Sequence, residues 1–135
     1  MPQELYRLAD RLGHTALYYP FRRAASVAVA GRDGCLIGID PGQLESRADE
    51  RVKLAHELGH CETGTVYGRD GANRSRCEER ANRWAYDRLL PWKQVRQALW
   101  EGDRTVDALA ERFSVTEDFV RGALRYYRDA RGLPI

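Results

Sequence analysis

The segment KLAHELGHCETG, residues 53–64, holds two of the chain's three histidines, His56 and His60, four positions apart, with Glu57 directly after the first. Four residues advance an α-helix by about 6 Å and slightly more than one turn, so both imidazoles can meet one ion. Glu57 is rotated by about 100° from His56, which places it beside that ion rather than on it. This is the geometry of a general base. A divalent metal brings the pKa of a water toward about 7, and the carboxylate takes its proton as the water attacks a polarised carbonyl. The competing reading is a surface helix that carries two histidines by chance. Ala55, Leu58 and Gly59 argue against it, because they make the segment partly apolar and hence buried. Buried histidines need partners. Gly59 costs a helix roughly 1 kcal/mol relative to alanine, a cost that makes sense where another backbone or a substrate comes close.

A hydrolytic zinc site takes a third protein ligand and keeps one open position. The candidates lie in the next helical segment, RCEERANRWAYDRLLP, residues 76–91. Glu78 follows His60 by 18 positions (78 − 60), with a glycine-rich stretch between. Asn82 lies one turn beyond Glu78 on the same face and can hydrogen-bond a ligand's other ring nitrogen, fixing its tautomer. Three alternatives stand beside Glu78. Ser75 and Glu78 match a capping box, which would make Glu78 structural. Glu79 is the neighbouring acid. Cys61 and Cys77 are sulfur donors, although each also reads as a small core residue.

The rest of the chain supplies context. At 135 residues it fits one compact domain, and 43% hydrophobic with 31% charged residues excludes disordered and fibrous classes. The net charge of +2 comes from interleaved acids and bases and makes no case for nucleic acid. Three cysteines without CxxC spacing make a disulfide framework unexpected. There is no basic segment followed by an apolar run near Met1, and no apolar run approaches the roughly 20 residues of a membrane span. A cytoplasmic protein with reduced thiols is expected.

Periodicity predicts a helix over PQELYRLADRLG and a connector with a strand-like start at HTALYYPFRR. A β-hairpin over SVAVAGRDGCLIGID follows, with Val27 and Val29 alternating on one arm and Leu36, Ile37 and Ile39 on the other. The metal-motif helix is predicted from about Ala48 to Thr63, a loop over 64–74, and a helix from about Arg76 to Leu90 that Pro91 ends. A helix closed by Gly102 comes next, then two helices joined around Ser114 to Thr116. The fold class is α+β, with a core over 1–91 and a helical unit over 92–135 packed on it.

LAHELGHCETG followed by EERANRWAYDRLLP resembles the ImmA/IrrE family of metallo-endopeptidases, the domain-of-unknown-function 955 group. The match includes Glu78, Ala81, Asn82, Trp84, Ala85, Leu89, Leu90 and Pro91, and it extends to YYPF, IGID and LAERFSVTEDFVRGALRYY. The resemblance implies a zincin-like fold, a small sheet over the HExxH helix followed by helices. It implies zinc, with manganese as the alternative ion, on His56, His60 and Glu78, and Glu57 as catalytic base. It also implies a helix-turn-helix repressor as substrate, in a mobile-element, prophage or stress context. Arg80 departs from the family, which often has an acid there, and should face away from the metal. Tyr67, Arg69 and His14 are candidate oxyanion donors.

DALAERFSVTEDFVRGAL has the look of a helix-turn-helix. Its second helix opens on Thr116, Glu117 and Asp118, acids that phosphates would repel, so docking on the core or on a protein is expected over DNA binding. A non-catalytic regulatory module with a structural or vestigial metal site is the alternative function. Glu57 separates the two, since a structural site has no use for it. Oligomeric state has no signal in the sequence.

Overall fold

The computed structural model describes residues 2–66 and 71–134. Helix α1 (Gln3–Arg11) leads into strand β1 (Thr15–Tyr18), and β2 (Ser26–Ala30) and β3 (Cys35–Ile39) form a hairpin. Helices α2 (Arg47–Thr63) and α3 (Gly71–Leu89) follow, then α4 (Trp92–Trp100), α5 (Val106–Phe113) and α6 (Glu117–Arg125), which runs into a wider turn over Tyr126–Ala130. The mixed α+β class is as the sequence predicts.

The sheet has the order β1-β3-β2. β3 pairs antiparallel with β2, Ala30 opposite Cys35, and parallel with β1, Thr15 opposite Leu36. The strand-like start of the segment HTALYYPFRR is therefore an edge strand, and the rest of it is a connector. The strand's four residues are too few to show a period, and its pairing partner lies 21 positions away (36 − 15). β3 buries Ile37 and Ile39 completely against the helices, worth about 1.5–3 kcal/mol for each side chain. Val29 and Leu36 face the other way and stay about half exposed.

Two tyrosines tie the sheet and α1 to α2. The hydroxyls of Tyr6 and Tyr18 both donate to Glu50 Oε2 at 2.8 Å. Burial, and then the Glu50 carboxylate, pushes both phenols above their ordinary range, so they remain donors. Ser46 caps α2 by accepting from Asp49 N. Gly64 ends it in the left-handed region, φ 66°.

α3 begins at Gly71, five residues before the predicted start (76 − 71). Nothing apolar recurs over GANRS, so periodicity could not reveal the first turn. Ser75 therefore lies inside the helix, and the capping-box role considered for Glu78 is removed. Tyr127 is fully buried, and its hydroxyl lies 2.5 Å from the Leu90 carbonyl at the far end of α3. That carbonyl belongs to the set a helix terminus leaves without an internal partner.

The expectation of three reduced thiols is corrected. Cys35 at the head of β3 and Cys61 on α2 are disulfide-bonded, with Cα atoms 6.0 Å apart. Their separation of 26 residues has no motif spacing, and only the packing of the sheet on α2 brings them together. A bridge over such a loop stabilises by about 3 kcal/mol in the chain-entropy account.

α2 and α3 approach backbone to backbone at Gly59. A Cβ at Gly59 would lie 2.5 Å from the Ala81 carbonyl oxygen and 3.0 Å from its Cα. These are backbone atoms of the facing helix and cannot swing aside. Gly59→Ala gains roughly 1 kcal/mol of helix propensity but must part the two helices, which costs about 1–3 kcal/mol or more. We expect net destabilisation, read as a lower denaturant midpoint. An unchanged midpoint would show that the helices separate freely.

Candidate metal centre

The same close approach aligns two faces. α2 presents His56, Glu57 and His60, and α3 presents Glu78 and Asn82. His56 Nε2 lies 2.8 Å from Glu78 Oε2, and His60 Nε2 lies 3.0 Å from Glu78 Oε1. The two Nε2 atoms are 3.1 Å apart. His56, His60 and Glu78 thus converge as a group able to hold an ion.

The outer nitrogens decide what the inner ones can do. His56 Nδ1 is 2.8 Å from Asn82 Oδ1, and His60 Nδ1 is 2.8 Å from the Thr65 carbonyl. Both partners are acceptors, so both Nδ1 atoms carry the proton and donate. Each Nε2 then presents a lone pair. Two lone pairs and a carboxylate face one another across about 3 Å, an arrangement that repels unless a cation lies among them. The donor set of two imidazoles and a carboxylate fits zinc. Asn82 and Thr65 hold the rings in orientation, as partners of metal-bound histidines do. The left-handed Gly64 turns the chain so that Thr65 reaches back to His60.

Glu57 is buried, 7% exposed, and accepts a hydrogen bond from Ser26 Oγ at 2.6 Å. Ser26 starts β2 and pairs with Ile39, on the sheet face that looks toward α2. Glu57, Ser26 and Ala28 line a cavity of about 300 Å³ together with His56, His60 and Glu78. A buried carboxylate beside three convergent donors, in a cavity open to an edge strand, has the parts of a hydrolytic site.

Residues 9–125 match the M78 peptidase family, described as the IrrE N-terminal-like domain. The chain belongs to the M78 (ImmA/IrrE) family. No curated protein and no solved structure matches it.

The alternatives to Glu78 separate cleanly in this M78 chain. Glu79 is exposed and pairs with Arg83 at 2.5 Å. Cys61 is bonded to Cys35, and Cys77 is buried without a disulfide partner. Arg80 is exposed. Of the three oxyanion candidates, Tyr67 and Arg69 lie outside the described residues. His14 is removed by its contacts, since Nε2 meets Glu62 at 2.7 Å and Nδ1 accepts from Cys35 N at 2.9 Å. Sequence reasoning missed Ser26 and Thr65. Only strand register identifies the first, while the second has a faint signal, a threonine directly after the capping glycine.

Replacing Glu78 by Ala should lower zinc affinity by more than Asn82→Ala, for which a loss of about 10–100-fold is expected. Glu79→Ala should leave affinity unchanged. Competition with a chromophoric chelator measures all three. A loss in the Glu79 variant alone would move the ligand by one residue.

Proposed function

We propose that this M78 family member is a zinc-dependent endopeptidase with His56, His60 and Glu78 as metal ligands and Glu57 as general base. The observation that carries the reading is the placement of Glu57. It is buried beside the three convergent donors, with one oxygen held by Ser26. A structural site would not need a desolvated carboxylate there.

His56, His60 and Glu78 would hold a divalent cation, zinc or alternatively manganese, which when bound would supply Lewis acidity to a peptide carbonyl and to a water. Glu57 would take a proton from the attacking water and pass it to the leaving amine. Ser26 keeps the Glu57 carboxylate in one orientation through the transfer. Asn82 and Thr65 keep both imidazoles aimed inward.

β2 is an edge strand, and Ser26, Val27 and Ala28 line the cavity. An extended peptide adding to that edge through main-chain hydrogen bonds would bring its carbonyl over the ligands. The substrate we propose is a helix-turn-helix repressor, as the family resemblance implies, in a cytoplasmic setting linked to a mobile element or stress locus. No described helix is long and apolar enough to cross a membrane. DNA binding by α5 and α6 is disfavoured. Arg121 pairs with Asp118 at 3.1 Å and lies 3.9 Å from Glu117, so the helix opening is acidic and its nearest cation is neutralised. The unit over 92–135 is better suited to bracing the core.

Glu57→Gln should keep zinc and lose cleavage of a co-encoded repressor by about 10²–10⁴-fold, the range for a general base. Gel analysis of cleavage beside metal content tests this. Undiminished cleavage would remove the general-base role from Glu57, whereas no cleavage by the wild type with zinc bound would favour the non-catalytic module.

A further inference from the structure

We propose that Cys35 and Cys61 form a thiol–disulfide exchange site that fastens the metal-bearing end of α2 to the sheet. Cys35 heads the middle strand, and Cys61 directly follows His60. The bond therefore spans from the sheet to the helical turn that presents a candidate ligand.

Exposure of the two sulfur residues is unequal. Cys35 is buried at 9%, whereas Cys61 is half-buried. An incoming reagent meets Cys61, and Cys35 acts as the resolving partner. Cys77 is buried on α3 and does not compete.

His14 lies beside the pair, and ligand atoms of His14, Cys35 and Cys61 fall within 4.8 Å of one another. Such a trio also has the composition of a metal clip. The hydrogen bonds decide between the two chemistries. Nδ1 of His14 accepts the Cys35 N–H, so Nε2 carries the ring proton and donates to Glu62. Neither nitrogen retains a free lone pair for a metal, and the sulfurs are bonded to each other. Sulfur exchange needs no lone pair from the histidine.

The reaction balances with a low-molecular-weight disulfide, RSSR, as co-reactant. The Cys61 sulfur attacks one sulfur of RSSR, breaks its S–S bond and releases one RS⁻, which takes the proton lost from Cys61. The Cys35 sulfur then attacks the mixed disulfide at Cys61 and releases the second RS⁻, which takes the Cys35 proton. The protein is oxidised by two electrons, and RSSR is reduced to two RSH. Two thiols reverse the sequence.

The link to metal binding rests on the reading of the site proposed above, whereas the exchange chemistry does not. The test equilibrates the full chain in glutathione buffers of graded ratio. Three readouts follow: free thiols counted by maleimide labelling and intact mass, the melting temperature, and zinc affinity. Two thiols should appear and vanish together, with Cys77 labelled only after denaturation. The oxidised form should melt on the order of 10 °C higher. It should also bind zinc several-fold more tightly, because the turn carrying His60 is held. A Cys35→Ala, Cys61→Ala variant should respond to no buffer ratio and behave as the reduced chain does. Thiols that titrate independently, or a melting temperature indifferent to the ratio, would overturn the proposal. So would a second zinc equivalent bound only by the reduced wild type. Absence of zinc from both redox forms refutes the metal reading alone, since labelling and melting still decide the exchange.

Discussion

The contact between Gly59 and Ala81 governs the geometry of the site. Two helices packed through ordinary side chains stand about 8–10 Å apart. Here the missing Cβ lets the backbone of α3 approach α2 directly. Ala81 lies between Glu78 and Asn82, and Gly59 lies beside His60. Bringing the small residues together therefore brings a carboxylate to both Nε2 atoms and an amide oxygen to one Nδ1. A Cβ at Gly59 would press on the Ala81 backbone and part the two faces.

The convergent donors are electrostatically suited to a cation. The histidines are oriented from outside by acceptors, so their inner nitrogens converge as lone pairs on a carboxylate. Stability alone does not favour such a group, because acceptors that face one another at about 3 Å repel. Glu57 adds a buried acid, tempered by Ser26. The sheet contributes this serine to the cavity that Glu57 lines, and β2 forms the sheet's edge there.

How much of this was legible in the sequence depends on whether a feature is local. His56, Glu57 and His60 share one helix, and four-residue spacing on a helix translates directly into a shared face. Glu78 and Asn82 were legible for the same reason, since their one-turn spacing survives an error of five residues in the helix start. Ser26 was not, because its partner lies 31 positions away and its direction depends on strand register. β1 was legible only as a strand-like start, and its parallel pairing with β3 was not, since the partner residues lie far along the chain. The Cys35–Cys61 bond was hidden for a related reason. Cysteine spacing is informative when motifs are compact, and this pair is joined only by the way the sheet lies on α2.

The burial of Tyr127 bears on how the chain can be divided. The family match ends at residue 125, yet two residues later this ring fills the core and its hydroxyl meets the closing carbonyl of α3. A fragment trimmed to the matched segment would leave an apolar hole beneath Trp92 and an unsatisfied oxygen at the end of the helix that carries Glu78. The minimal folding unit is thus longer than the unit recognisable by ancestry.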